Sequence, residues 1–239
     1  MKDTGLFHEN KITELKLVSD LTKNYQQIKT EVLNLYNNNY SVLHDYPQYN
    51  IPGYDCLWEK YWKCAPYTQF EGEHVEIHGN SNVKYVWDDH NNRVIEGSDN
   101  NETYKKVLEL TNLTKTICPT LYSVVEDGDK AGYFRNGFIS VLKPGSILNP
   151  HFGWTQKFLR VHLGIQCDTE CKITVGKRTQ TWQEGKILAF CDGDTHSVKH
   201  LGTVPRIITS IDVNINWLRD QGIHIPLPGE KWFRGVRFA

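Results

Sequence analysis

Six residues between positions 140 and 206 could do chemistry together: Ser140, His151, Arg160, His162, His196 and Arg206. Imidazole is the commonest metal ligand near neutral pH, and guanidinium is a fixed cation whose two parallel N–H donors match a carboxylate. Each type alone has an ordinary explanation. A single His is more often a surface or satisfied core residue than a ligand. A strand Arg commonly pairs with a nearby carboxylate, and Asp212 is the candidate here. The concentration of all six in one stretch is what marks a site.

That stretch reads as β structure. Short β-prone runs, Phe138–Leu142, Phe158–Ile165, Lys172–Val175, Ile187–Phe190 and Arg206–Val213, alternate with breaks at Pro144-Gly145, Gly176-Lys177, Glu184-Gly185 and Gly193. Such spacing predicts a sandwich, barrel or jelly roll. Side chains alternate along a strand, so Arg160 and His162 share one face while Leu159, Val161 and Leu163 share the other. By the same rule Ser140 faces with Phe138 and Leu142, and Arg206 with Ile208, Ser210 and Asp212. An Arg inside an apolar strand is costly unless an anion meets it. His151 and His196 stand beside turns, where a side chain can point into a barrel mouth.

Upstream the texture is helical. Leu15, Val18, Leu21, Tyr25, Ile28, Val32, Leu35 and Tyr36 follow 3–4 spacing and predict one amphipathic helix over 10–36, ended by Asn37-Asn38-Asn39. Residues 47–67 combine Pro47, Pro52 and Pro66 with Tyr54, Trp58, Tyr61, Trp62 and Tyr67, and Pro is expected to break regular structure there. Residues 79–101 read as a polar surface loop with a strand near Val83–Trp87, and 102–113 as a short helix.

The whole chain has 239 residues, 27 Lys+Arg against 28 Asp+Glu, and 39% hydrophobic residues. This size and composition suit one well-buried core and exclude a disordered chain. Charge balance argues against a nucleic-acid binder. No run approaches the roughly 20 apolar residues of a membrane span, and Met1–Leu6 lacks the apolar core of a signal peptide, so a soluble, intracellular protein is expected. Heavy Asn usage fits an AT-rich, viral or microbial genome. None of the six Cys forms a CxxC pair; Cys167 and Cys171 are read as free thiols, with a disulfide as the alternative.

The stretch Phe138 to Val213 resembles the oxygenase domain of the aspartyl/asparaginyl β-hydroxylases, which are iron(II)- and 2-oxoglutarate-dependent dioxygenases. The resemblance is carried by Ser140-Val141-Leu142-Lys143-Pro144-Gly145, Pro150-His151-Phe152-Gly153, Leu159-Arg160-Val161-His162-Leu163-Gly164, Thr181-Trp182-Gln183-Glu184-Gly185-Lys186, Asp192, His196, Arg206 and Asp212-Val213, with Cys118-Pro119-Thr120 upstream. It implies a mainly β protein: a double-stranded β-helix (jelly-roll, cupin-like) core with a helical N-terminal region. The expected division is 1–99 packed on the core, 100–217 as oxygenase core, and 218–239 as a C-terminal extension.

The resemblance also implies roles. His151 and His196 would bind iron(II). Gly153 stands where related iron oxygenases usually carry a third, carboxylate ligand, and the resemblance includes Gly there. Arg206, helped by Ser140, would pair with the distal carboxylate of 2-oxoglutarate, while Arg160 and His162 would contact its oxo-acid end. Trp182 and Gly185 are assigned to strand and turn. The implied reaction consumes O2 and 2-oxoglutarate to hydroxylate an unactivated carbon, the β-carbon of an Asp or Asn in a peptide or protein. Alternatives are the same chemistry on an acyl chain or small molecule, halogenation, and a catalytically silent jelly-roll binding protein. By position and composition, not by the resemblance, residues 1–99 are expected to close over the barrel mouth and select the substrate, with Trp58 and Trp62 as walls.

Overall fold

The structure, a computed structural model, describes residues 3–45, 62–68, 84–88, 93–97, 102–152, 157–229, 231–233 and 236–238. Among them the helices are α1 (Lys16–Lys23), α2 (Tyr25–Asn38), α3 (Glu102–Ile117), α4 (Pro119–Lys130) and α5 (Ile215–Asp220). The strands are β1 (His44–Asp45), β2 (Trp62–Pro66), β3 (Lys84–Asp88), β4 (Arg93–Gly97), β5 (Phe134–Leu142), β6 (Ile147–His151) and β7 (Phe158–Gln166). They continue as β8 (Cys171–Val175), β9 (Arg178–Thr181), β10 (Ile187–Cys191), β11 (His196–His200), β12 (Arg206–Asn214), β13 (Lys231–Phe233) and β14 (Val236–Phe238).

The core is two facing sheets, a six-stranded one in the order β1-β2-β5-β12-β7-β10 and a four-stranded one in the order β6-β11-β8-β9. Strands β5 to β12 shuttle between them: β5, β7, β10 and β12 lie in the first sheet, β6, β8, β9 and β11 in the second. This is the jelly-roll, cupin-like arrangement of eight antiparallel strands. Two short hairpins, β3 with β4 and β13 with β14, stand apart from it. No helix among the described residues is long and apolar enough to cross a membrane.

Period-2 alternation sorts the apolar side chains into two cores. Ile139, Val141, Leu159, Val161, Leu163, Ile207, Ile211 and Val213 pack outward with Leu21, Ile28, Val32, Leu35 and Leu121 of the helices. Phe138, Leu142, Leu188, Phe190 and Ile208 point inward, between the sheets, with Leu148, Ile173 and Val198 of the smaller sheet. Arg160, His162, Ser140 and Arg206 fall on the inward parity.

The differences from the sequence reading have local causes. The helix expected over 10–36 is a 3-10 turn, Glu9–Lys11, followed by α1 and α2. The break is at Asn24, whose side-chain amide donates to the Asp20 carbonyl (2.9 Å) and competes with the helix ladder. The helix expected over 102–113 runs to Ile117, and α4 starts at Pro119, where the missing N–H costs nothing. Regular structure was not expected near Pro66, yet β2 ends on that residue and pairs with β5. Pairing of β2 with β5 also means that the 99/100 division cuts through a single sheet. Trp58, Gly153 and the remaining aromatics of 47–61 lie outside the described residues.

Helix α4 has no capping bond from its own Cys118. Instead the buried Glu31 of α2 accepts the backbone N–H of Thr120 (3.1 Å) and of Leu121 (3.3 Å). One carboxylate therefore meets two orphan donors and the positive end of the helix dipole, and ties α2 to α4. Glu31→Ala should lower stability by about 1–2 kcal/mol, the usual cost of a lost cap. A thermal melt reads this directly, and an unchanged midpoint would show the cap to be idle.

Candidate active site

The register of the smaller sheet brings the first two candidate residues together. His196 at the start of β11 pairs directly with His151 at the end of β6. Their rings lie 4.3 Å apart, centre to centre. Nδ1 of His151 is 2.7 Å from the Asn149 carbonyl, and Nδ1 of His196 is 2.8 Å from the Asp194 carbonyl. A carbonyl only accepts, so each Nδ1 carries the proton and each Nε2 presents a lone pair. Burial pulls His151 down to about 4, with the Asn149 hydrogen bond opposing and Arg160 reinforcing the shift. Burial, then the neighbouring His151, holds His196 well below its ordinary range. Both imidazoles are neutral at pH 7, the state a metal requires.

Arg160 sits beside this pair and is neutralised by the protein. Its register partner Asp212 takes Nε and Nη2 in a fork (2.8 Å each), and Asp192 takes Nη1 (2.7 Å). Asp192 lies 3.8 Å from Nε2 of His196. Asp212 also accepts from the Asn136 amide (3.1 Å). That contact needs a bulge in β5: between Ser210 and Asp212 the register slips, and Asn136 adopts φ 49°. Arg160 thus meets carboxylates within the fold itself. Asp212, the carboxylate expected from the sequence, is one of the two, and Asp192 is the other.

Arg206 is the opposite case. It is 3% exposed, and no carboxylate among the described residues lies within ion-pair distance. Its Nη2 donates to Ser140 Oγ (2.9 Å), its Nε has no partner, and its guanidinium lies 4.7 Å from the ring centre of Trp182. Burial pushes it below its ordinary value, but a guanidinium stays cationic at pH 7.

Among the described residues, the hydrogen bonds around Arg206 leave donors open. Ser140 Oγ accepts both Arg206 and the indole N–H of Trp62 (2.9 Å), which fills its lone pairs and leaves its O–H to donate. Trp182 donates its indole N–H to His162 Nδ1 (3.1 Å), which places the His162 proton on Nε2. Burial, then Arg206 and Arg160, keeps that imidazole neutral. His162 thus groups with Trp182 and Arg206. Phe190 stands between it and the metal-type pair, with ring centres 5.5 Å from His162 and 5.0 Å from His196.

Trp182 was assigned to a strand and turn; the structure puts it on the site. Gly164 permits this. A Cβ there would lie 2.1 Å from the Gln183 carbonyl oxygen, so only Gly lets the 181–186 segment close on β7. Trp62 was read as a wall at the mouth and is instead a buried donor to Ser140. For Trp62, on the inward parity of β2 opposite Ser140 of β5, the signal that could have found it is that a buried indole N–H needs an acceptor. Cys167 and Cys171 are free thiols, with burial pushing them up to about 12 and about 11.

A model of the family described as aspartyl/asparaginyl beta-hydroxylase matches residues 22–215. The chain belongs to that family. The match starts well upstream of residue 100, in keeping with the membership of β2 in the core sheet. The mouse aspartate beta-hydroxylase domain-containing protein 2 is 37% identical over 83 residues, covering 34% of this chain and 24% of that protein. The mouse aspartyl/asparaginyl beta-hydroxylase is 41% identical over 98 residues, covering 40% and 13%. The matched stretch is thus a quarter or less of those relatives' length. A solved cupin domain of an XRE-family transcriptional regulator from Enterobacter cloacae superposes on 36% of this chain and 85% of its own, with a TM-score of 0.31 and 15% identity.

The two arginines should respond oppositely to mutation. Asp212→Asn leaves Arg160 partly unpaired and should cost about 3–5 kcal/mol. Arg206→Met removes an uncompensated buried charge and should leave stability unchanged or raise it by about 1 kcal/mol or more. Denaturation midpoints decide; a large loss in Arg206→Met would mean that its charge is paid for within the fold.

The half-buried His151 and the buried His162 and His196 set a pH dependence. His151 titrates near 4 in the folded chain against 6.5 unfolded, so the unfolded state takes the proton first. Stability is full above about pH 6.5 and is lost as pH falls toward about 4, with His162 and His196 acting in the same direction. Urea midpoints at pH 7.5 and pH 5 should differ in that sense, and equal midpoints would contradict neutral burial.

Proposed function

We propose that the chain is an iron(II)- and 2-oxoglutarate-dependent dioxygenase that hydroxylates the β-carbon of an Asp or Asn residue in a peptide or protein. The observation that carries this reading is Arg206: a buried cation that meets no carboxylate among the described residues, with open donors beside it, on the same interior as two neutral histidines. A dicarboxylate is the chemistry that this arrangement lacks.

The donor set fits the metal. Two neutral Nε2 atoms, each fixed by an Nδ1–H bond to a backbone carbonyl, suit iron(II). Bound there, iron(II) would supply the redox chemistry that activates oxygen at the expense of the 2-oxo acid. Arg206 would bind the distal carboxylate of 2-oxoglutarate through its free Nε–H, and the Ser140 O–H would add a second donor. Trp182 covers the guanidinium face and keeps it from water. His162 offers its Nε2–H, and as a neutral donor it gives up no proton. Arg160, already paired with Asp212, holds Asp192 beside His196. Phe138, Leu142, Leu188, Phe190 and Ile208 exclude water from the space between the sheets. The peptide substrate is taken from the family, since the relatives' names denote aspartyl and asparaginyl hydroxylation.

The test is turnover. With iron(II), oxygen and 2-oxoglutarate the protein should form succinate, and candidate Asp- or Asn-bearing peptides should gain one oxygen in mass. Arg206→Met should raise the 2-oxoglutarate concentration at half-saturation about tenfold to a hundredfold, the worth of hydrogen bonds to a charged group. His151→Ala and His196→Ala should abolish turnover. Undiminished succinate formation in either His variant would remove the metal assignment, and unchanged half-saturation in Arg206→Met would remove the dicarboxylate site.

A further inference from the structure

The Nδ1 acceptor of His196 is the carbonyl of Asp194, and that residue is held from the far end of the sequence. Asp194 is fully buried. Its carboxylate accepts the backbone N–H of Thr4 (2.6 Å), the hydroxyl of Thr4 and the backbone N–H of Gly5 (3.4 Å). The bonding is reciprocal. Thr195 donates its backbone N–H (3.0 Å) and its hydroxyl (3.1 Å) to the Asp3 carboxylate.

The rest of the segment is docked along its length. His8 donates its N–H to the Ala189 carbonyl (2.7 Å), and Phe7 bridges to Phe190 on β10, the edge strand of the larger sheet. Gly5, at φ 57°, passes over the turn after β8; a Cβ on Gly176 would lie 2.7 Å from the Gly5 Cα. That turn in turn donates Gly176 N–H to the Thr195 carbonyl (2.8 Å). Residues 3–8 therefore lie across the Cys191–Thr195 turn and fasten it from both of its last two residues. They also lie upstream of the family-matched stretch, so they are a feature of this chain that the match leaves out.

We propose that residues Asp3–His8 are a positioning strap for the metal site, acting through the Asp194 carbonyl on the ring direction and tautomer of His196. The inference rests on the reading of His196 as a metal ligand. The strap touches neither metal nor substrate. It fixes the one turn whose displacement would swing the Nε2 lone pair of His196 away from that of His151. Partners that orient a ligand in this way are worth about 10–100-fold in metal affinity.

Metal affinity is the readout, with cobalt(II) as an oxygen-stable probe followed by its visible absorption and by calorimetry. Asp3→Ala/Thr4→Val should weaken cobalt(II) binding about tenfold or more and alter its visible band. Thr4→Ser, which keeps the hydroxyl donor, should bind as the unaltered protein does. Glu31→Ala is the control for stability alone: it should melt earlier and bind cobalt(II) normally. Should the double variant not fold, Thr4→Val alone, which removes one donor, carries the same expectation in direction. Strap variants that bind cobalt(II) with unaltered affinity and spectrum overturn the proposal, as does an equal loss in Glu31→Ala. An unaltered protein that binds no metal removes the metal reading and the strap with it, whereas normal binding with indifferent variants removes the strap alone.

Discussion

Two arginines on neighbouring strands face the same interior, and among the described residues carboxylates meet only one of them. A buried guanidinium is tolerable when carboxylates meet it with good geometry, and Arg160 has two, Asp212 across the strand pair and Asp192 beyond it. Arg206 has a hydroxyl, an indole face and an open donor. The cost of leaving it so is borne by the rest of the fold, which is the usual position of a group kept for a ligand. Much else follows from that asymmetry. Ser140 is left as a donor because Trp62 and Arg206 fill its lone pairs, and His162 is left as a donor because Trp182 fills its Nδ1.

The sheets make this arrangement possible by separating two jobs. The outward face of the larger sheet carries the apolar contacts with the helices, and that core provides most of the burial. The inward face is then free to hold polar side chains at fixed spacing. The small sheet adds the two histidines as one cross-strand pair, so their mutual placement is set by backbone register and not by long side chains. Turns decide the fine placement. The carbonyls of Asn149 and Asp194 orient the rings, and the strap over Asp194 brings the first residues of the described chain into the site's support.

Much of the core was legible in the sequence. The runs Phe138–Leu142, Phe158–Ile165, Lys172–Val175, Ile187–Phe190 and Arg206–Val213 all lie within observed strands, because a β-prone run bounded by turn residues is a local property. Strands lacking such an apolar run were missed: β6 reads Ile-Leu-Asn-Pro-His, β9 Arg-Thr-Gln-Thr, and β11 His-Ser-Val-Lys-His, each short and polar. The long N-terminal helix had the right apolar stripe and the wrong continuity, since one Asn side chain is enough to divert the backbone at Asn24. Trp182 was misjudged because nothing near it in sequence shows that Gly164 lets its segment close on β7.

By itself the sequence determined the facing of the strands and the identities of the groups that share an interior, because side-chain parity along a strand needs no partner. It could not decide which arginine is neutralised. Arg160 finds Asp212 through cross-strand register and a one-residue bulge at Asn136, and Arg206, one strand end away in the same register, finds no carboxylate among the described residues. Nor could it join Asp3 and Thr4 to Asp194 and Thr195, which the chain separates by some 190 residues and only the closed jelly roll brings into hydrogen-bond range. Local pattern fixes direction along one strand. Charge compensation depends on what lies across the gap, and that is settled only when the sheets have formed.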